Sequence, residues 1–488
     1  MEVTLPELTS QRRYLVLAIC CMSLFLVGMD STIINVALPA IGRSFHAQVS
    51  GLQWTVDAYL LVIASLLMLS GSVGDRVGRR RVFQIGLAAF ALGSLACSLA
   101  PGLGWLVAFR ALQAIGGSMM NPVAIAIVTN VFTEPAERAK AIGLWGSTFG
   151  LSVALGPVIG GALVDSAGWR SVFWINIPVC AAAIVLTARF VPESRAPVRR
   201  GLDPAGQLLL IVTLVALSYG IIEGPDRGWG SALIIACFAA AAAAAGLLVG
   251  WSRRAAEPLI DLRFFRSLPF SGAVLTALCG MCAFAGFLFL VTLYLQDVRG
   301  YSALTAGLFL LPMALVMAAS APLCGRVMAR VGSRVPLLIA GVGILAGGVL
   351  LTFLRSTSPD WYVLLSCVVF GVGMGWVNAP ATNNAVSGMP RARAGTASGT
   401  VSTGRQVGSA LGVAVTGSVL AAGLHGSYAA GFAAATRPAW WIVAAMGGCV
   451  LVIAVVSTGR AGRASAARAA ALIERAEGPA PAPSPQAA

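Results

Sequence analysis

Two charged side chains lie in stretches that are otherwise apolar enough to cross a membrane. Asp30 interrupts the apolar run 14–37, and Arg110 lies in the run 105–127. Each run is long enough, as a helix, to span a hydrocarbon core of about 30 Å. Asp30 is about seven residues and Arg110 about five residues inside the same expected end of its run, so the two are expected to meet at one level. A charge in lipid is expensive alone and is normally found paired. In an apolar cleft, desolvation favours the neutral acid while a neighbouring cation favours the carboxylate. Moving the arginine, or admitting another cation, would tip that balance and take up or release a proton. Snorkelling of Arg110 to the interface is the competing reading. Asp57, in Gln53-Trp54-Thr-Val-Asp57-Ala-Tyr59, opens the run 53–72 on the same side. It is open as a second acidic site or as an interfacial helix-start residue. Arg405 is a further charge within an apolar run, and Glu223 stands at the edge of another.

What must position these residues follows from composition. Of 488 residues, 58% are hydrophobic and only 10% charged, with a mean hydropathy of +0.86. A soluble domain carries about 25% charged residues, so lipid is the solvent for much of this chain. Apolar runs fall near 14–37, 53–72, 82–100, 105–127, 141–163 and 171–190, then 205–222 and 231–251. Six more fall near 270–293, 303–323, 336–354, 361–381, 395–421 and 439–457. Fourteen runs without strand-like alternation predict fourteen transmembrane helices, because backbone groups in lipid need internal partners.

The net charge of +15 is distributed by side. With the N-terminus inside and strict alternation, 25 of the 33 basic residues fall in inner segments, 6 in outer segments and 2 within spans. Such an imbalance predicts cytoplasmic N- and C-termini in a plasma (inner) membrane. The basic residues are spread over separate loops, which excludes a nucleic-acid-binding domain. The ten cysteines lie in apolar runs, and Cys279-x-x-Cys282 has no His or second pair beside it, so no metal site is expected. With only His46 and His425, both in expected connections, histidine catalysis lacks material. The segment 459–488 is expected to be a cytoplasmic, disordered tail ending in GPAPAPSPQAA.

The chain repeats itself. Gly71…Arg76-x-Gly78-x-Arg80 recurs as Gly325…Arg330-x-Gly332-x-Arg334, an offset of 254, and Pro135-x-x-Arg138-Ala139 recurs as Pro390-x-x-Arg393-Ala394, an offset of 255. Two six-helix bundles in the same orientation, 14–200 and 263–458, are therefore expected around a two-helix insert at 201–262, with residues 1–13 preceding them. Such bundles form a cleft that can open to either side, the architecture of a transporter.

The segment Gly71-Ser-Val-Gly74-Asp75-Arg76-Val-Gly78-Arg79-Arg80-Arg81 resembles the signature loop of the major facilitator superfamily, in which this cluster latches the halves together. Gly74 and Gly78 permit a tight turn, and Asp75 is placed to pair with Arg79 or to face a helix N-terminus. The second copy has Ala329 where the aspartate would fall, so only the first copy should latch. Arg110-Ala-Leu-Gln113-Ala-Ile-Gly116 resembles the family's Arg-x-x-x-x-Gly motif. Gly28-Met-Asp30-Ser-Thr-Ile-Ile-Asn35-Val-Ala-Leu-Pro39 resembles the first-helix motif of its fourteen-helix drug:proton antiporters, whose carboxylate belongs to the coupling machinery. Gly146, Gly150, Gly156, Pro157, Gly160 and Gly161 resemble the antiporter motif, a close-packing seam and hinge that marks exporters. Arg405-Gln-Val-Gly408 is similar to the same family, with a structural and a substrate-facing role both open.

The resemblance implies an all-α integral membrane protein of the major-facilitator fold, monomeric, with no cofactor beyond a proton gradient. It implies proton-driven export of small amphipathic organic compounds such as drugs or antibiotics by alternating access. Asp30, Arg110 and Asp57 would couple the proton, and Asn35, Gln113, Arg405 and Glu223 are the candidates to face substrate. An uptake symporter of the same superfamily, or a permease working with a separate ATPase, are the alternatives. The chain has no Gly-x-x-x-x-Gly-Lys-[Ser/Thr] loop and a single lysine, Lys140, which excludes ATP hydrolysis of that kind on this chain. A membrane enzyme is disfavoured because the few polar residues are scattered over separate helices.

Overall fold

A computed structural model describes residues 9–195, 201–255, 257–387, 389, 393–424 and 428–477. His425, Pro390 and the Pro/Ala-rich stretch 478–488 lie outside the described residues. Among the described residues, fourteen helices are long and apolar enough to span a membrane. In the first half they are α1 (Ser10–Phe45), α2 (Val49–Val77), α3 (Arg79–Ser98), α4 (Leu103–Val131), α5 (Pro135–Ala167) and α6 (Ser171–Phe190, interrupted at Ile175). The insert supplies α7 (Pro204–Arg227) and α8 (Ala232–Ser252). The second half has α9 (Leu268–Leu293, continued by a π turn to Val298), α10 (Ala303–Val331) and α11 (Arg334–Thr352). It closes with α12 (Asp360–Val386, broken at Trp376 and Val377), α13 (Ala394–Gly423) and α14 (Tyr428–Thr458).

The repeat is visible in the packing. Within the first half, α1 packs on α5, α2 on α4, α3 on α4 and α3 on α6. The second half pairs α9 with α13, α10 with α12, α11 with α12 and α11 with α14, each partner shifted by eight helices. The halves meet through the symmetric pair α2 with α13 and α5 with α10. Gly78 and Gly332, the repeated glycines, end α2 and α10 with φ of 129° and 76°, a region that L side chains rarely adopt. The insert lies outside this symmetry. Helix α7 bridges α2 and α13, while α8 packs mainly on α7.

The bundle has two ends: a terminal end, carrying residue 9 and residue 477, and a far end. Bonds that join the two halves gather at the far end. Gln53 Nε2 donates to the carbonyls of Val413 and Ala414 at 3.1 and 2.7 Å, and Gln296 Nε2 to that of Val36 at 2.9 Å. Asp165 accepts from the amides of Ala303 and Leu304 at the start of α10, at 3.1 and 2.9 Å, and Arg43 pairs with Asp297 at 3.1 Å. Helix N-termini favour such anionic caps.

Three expectations change. The helices run past the apolar segments, because polar flanks such as Gly42-Arg43-Ser44 continue the helix beyond the apolar limit. Consequently Asp57 is the ninth residue of α2 and is fully buried, not an interfacial helix start. The tail expected to be disordered from 459 is a helix, α15 (Arg460–Glu477), as far as it is described. Its Ala466, Ala469 and Ile473 form a buried stripe, and Ile473 shares a small core with Phe264, Phe270, Ala385, Ala397 and Val401. Finally, the boundary expected at 262 falls inside a 3-10 turn, Leu262–Arg266, that packs on α9 and α15.

Candidate functional site

Asp30 and Arg110 meet in the interior of the first half. Arg110 Nη1 donates to Asp30 Oδ2 at 2.6 Å and to Gln113 Oε1 at 2.7 Å, and its Nε donates to the Thr55 carbonyl at 3.2 Å. Asp30 Oδ1 accepts from Gln113 Nε2 at 2.8 Å and from Asn176 Nδ2 at 3.2 Å. Ser94 Oγ ties Gln113 and Asn176 together at 2.8 and 3.2 Å. The guanidinium lies 4.1 Å from the ring centroid of Tyr59, a cation–π contact. Arg110, Gln113, Asn176, Ser94 and Tyr59 are fully buried and Asp30 is 1% exposed, so the snorkelling alternative for Arg110 does not hold. Five helices, α1, α2, α3, α4 and α6, supply this network.

Local sequence explains the register. Gln113 lies three residues after Arg110, on the same face of α4, so both reach one carboxylate. Gly93 lets α3 come close enough for Ser94 to reach Gln113: a Cβ there would lie 2.5 Å from the Gln113 Cα. Sequence reading placed Asp30, Arg110 and Gln113 but gave no role to Tyr59, Ser94 or Asn176. Asn176 had one visible signal, a lone amide at the start of an apolar run in Gly168-Trp-Arg-Ser-Val-Phe-Trp-Ile-Asn176.

Asp57 is separate from this network. Among the described residues, both of its carboxyl oxygens are buried without a partner, as are Tyr59 Oη and Arg110 Nη2. Asn35 donates to the Ser31 carbonyl at 3.2 Å, leaving its buried Oδ1 unpartnered. Glu223 accepts from Trp54 Nε1 at 2.9 Å and from Arg227 at 3.0 Å, which docks α7 on α2 at the far end. Arg405 is on the other half, donating to Ser402 Oγ at 2.9 Å and Asn378 Oδ1 at 3.4 Å.

The glycine-rich face of α5 divides into two. Gly156 and Gly160 seat α5 on α1, where added Cβ atoms would meet Thr32 Oγ1 at 2.1 Å and Ile33 Cγ1 at 2.4 Å. Pro157 and Gly161 turn toward α10: the Gly161 position lies against the Ala303 carbonyl, and Gly307 against that of Pro157. Gly146 and Gly150 continue this second stripe toward the terminal end, at helical spacing, with nothing within 4 Å. The two helices therefore touch at the far end and splay at the terminal end.

At the terminal end, Arg79 Nε and Nη2 grip Asp75 Oδ1 at 3.0 and 2.8 Å, so the Arg79 partner expected for Asp75 is the one found. Arg79 also donates to the Ala126 carbonyl at 3.3 Å, and the Arg80 amide to Glu193 Oε1 at 3.1 Å. Gly71 and Arg76 belong to the same last turns of α2.

Two repeated six-helix bundles, the first enclosing a polar cluster at membrane level, are the architecture of a membrane transporter. The chain belongs to the Major Facilitator Superfamily, whose family model matches residues 20–413. It is similar to the multidrug resistance protein Stp of Mycobacterium tuberculosis, 40% identical over 403 residues covering 83% of this chain and 75% of that protein. The tetracenomycin C resistance and export protein of Streptomyces glaucescens is 37% identical over 409 residues, 82% of this chain and 74% of that one. Among solved structures, a bacterial homologue of the human lysosomal transporter Spinster matches with a TM-score of 0.63 at 20% identity, covering 95% of this chain and 98% of its own.

Proposed function

We propose that the protein exports small amphipathic organic compounds, using the entry of protons as its energy source. The chain is a transporter by family, and the relatives named above are a multidrug resistance protein and an antibiotic export protein. The observation that carries the proton part is the buried acid set of the first half: Asp30 locked to Arg110, and Asp57 with no partner. An isolated carboxylate in apolar surroundings costs several kcal/mol, so Asp57 is accommodated as the neutral acid while the far end is shut. Opening that end brings water to it and allows exchange.

The Arg distribution supports a cytoplasmic terminal end in a cell membrane. On that reading the described conformation faces inward, and cargo enters between the splayed ends of α5 and α10. The Asp75–Arg79 cluster would latch the terminal ends when they close. Pro157 and the glycines of α5 would form the seam about which they part.

The test is efflux from everted or reconstituted vesicles under an imposed pH gradient, with tetracenomycin C and ethidium as cargo. The native chain should move at least one of them only with the gradient present. Asp57→Asn should remove the dependence on the gradient, and Asp30→Asn and Arg110→Ala should cut transport at least tenfold. Full gradient-driven transport in all three variants would overturn the coupling assignment. Uptake running with the proton rather than against it would overturn export.

A further inference from the structure

Arg110 is neutralised within its own half, whereas Arg405 is not. Arg405 is the twelfth residue of α13, about 16 Å along the helix from its terminal end at 1.5 Å per residue, and it is half-buried. Its bonds go to two neutral oxygens, Ser402 Oγ and Asn378 Oδ1, the latter at the break in α12. Between residues 263 and 458 the sequence holds only two acids, Asp297 and Asp360. Both sit at the far end, where Arg43 and Arg299 hold them at 3.1 and 2.8 Å. No acid of the second half is therefore at hand to answer Arg405. Among the described residues, the Thr403 hydroxyl nearby on α13 is buried without a partner, and Gly395 and Gly399 have nothing within 4 Å, so the glycine face of the helix is unpacked toward the open end while Ala397 and Val401 on another face are buried.

A guanidinium at membrane depth is costly unless something supplies the opposite charge. Its planar fork matches a carboxylate or sulfonate with two parallel hydrogen bonds. We infer that Arg405, with Ser402 and Asn378, forms an anion-binding subsite in the cleft, and that the exported compounds include amphipathic organic anions bearing a carboxylate or a comparable oxyanion. Val274 and Leu278 of α9 pack directly against Gly404 and Gly408, which flank Arg405 in sequence, and hold this stretch of α13 on α9. This inference rests on the export reading and adds a charge class to it.

The test uses two dyes that share a xanthene frame, fluorescein as the anion and rhodamine 6G as the cation. Binding of each to the full chain in phosphatidylcholine nanodiscs, and gradient-driven accumulation in proteoliposomes, are measured for the native protein, Arg405→Gln and Arg405→Lys. The expected result is a fall of about tenfold in the ratio of fluorescein to rhodamine affinity in Arg405→Gln, with at least half of the ratio recovered in Arg405→Lys. A structural role would lower both affinities together and leave the ratio unchanged, which overturns the inference while export survives. If neither dye is bound or moved and the cargo of the efflux test is also ignored, the export reading fails and takes this subsite with it. If the dyes alone are ignored, the anion class is overturned. Loss of fluorescein binding when phosphatidylglycerol replaces phosphatidylcholine would make a lipid headgroup the occupant and overturn the assignment to cargo.

Discussion

The seam between α5 and α10 allows the direction of a conformational shift to be set by one methyl group. In Gly307→Ala the new carbon would lie 2.2 Å from the Pro157 carbonyl oxygen and 2.7 Å from its carbon, against an ordinary contact of at least 3.4 Å. The helices must therefore part by about 1 Å at the far end, where the two halves are joined. Over-packing of this kind costs about 1–3 kcal/mol. Only a state with the far end shut bears that cost. At about 1.4 kcal/mol per decade, the population should move roughly 5- to 150-fold toward a state open at the far end. Gly146→Val is expected to act in the opposite sense, because among the described residues nothing lies within 4 Å of a Cβ at that position and the proposed closure of the terminal ends would crowd it. The assay is a spin-label distance between Gln48→Cys and Ser356→Cys, exposed far-end sites on opposite halves, with Cys21, Cys237 and Cys449 replaced by Ala. Gly307→Ala should populate a longer far-end distance, whereas Gly146→Val should not. If both variants shift the distance in the same direction, or if Gly307→Ala leaves it as native, the two-faced account of α5 is wrong.

Arg110→Ala strands the Asp30 carboxylate in the core and should cost about 3–5 kcal/mol, read as a lowered unfolding midpoint in detergent. Adding Asp30→Asn should return part of that loss, and no return would mean that the pair is not the principal interaction. Ile473→Ala should cost about 2–5 kcal/mol of local docking energy and raise amide exchange across 460–477 while leaving the spans protected. Uniform exchange throughout the chain would refute the view that α15 docks through its own small core.

Much of the architecture is legible because lipid permits few solutions. Hydropathy gives fourteen spans, and the Gly78 and Gly332 repeat announces the two halves that the packing shares. Asp30, Arg110 and Gln113 are legible because a charge in an apolar run demands a partner and i,i+3 spacing supplies a second donor. Tyr59, Ser94 and Asn176 are not, since common residues acquire meaning only when three other helices bring them to one carboxylate. Helix ends are equally hidden, because apolar content marks the extent of lipid rather than of hydrogen bonding, and for that reason the apolar run alone leaves open whether Asp57 is interfacial or internal. Helix α15 escaped because its buried stripe is mostly alanine, which carries little hydropathic signal despite good helix propensity.

Rigid-body rocking has a consequence for where a proton can act. Among the described residues, the hydrogen-bond partners of Asp30 all lie in the first half: Arg110 and Gln113 on α4, and Asn176 on α6. Moving one half against the other leaves those distances unchanged, so the pair is poorly suited to sense which end is open. Asp57 is differently placed. It lies one helical turn along α2 from Gln53, whose amide binds the α13 backbone across the seam between halves. Four residues on from Gln53, Asp57 is on the same face of α2, so separation of α2 from α13 is expected to change its surroundings more than those of Asp30. On the proposed mechanism Asp57 is then the group that exchanges its proton with the far side. The Asp30–Arg110 network is the fixed framework that holds Tyr59 and α2 in place beside it. The vesicle comparison separates these roles: a framework residue lowers transport at every gradient, whereas the exchanging acid removes the dependence on the gradient itself.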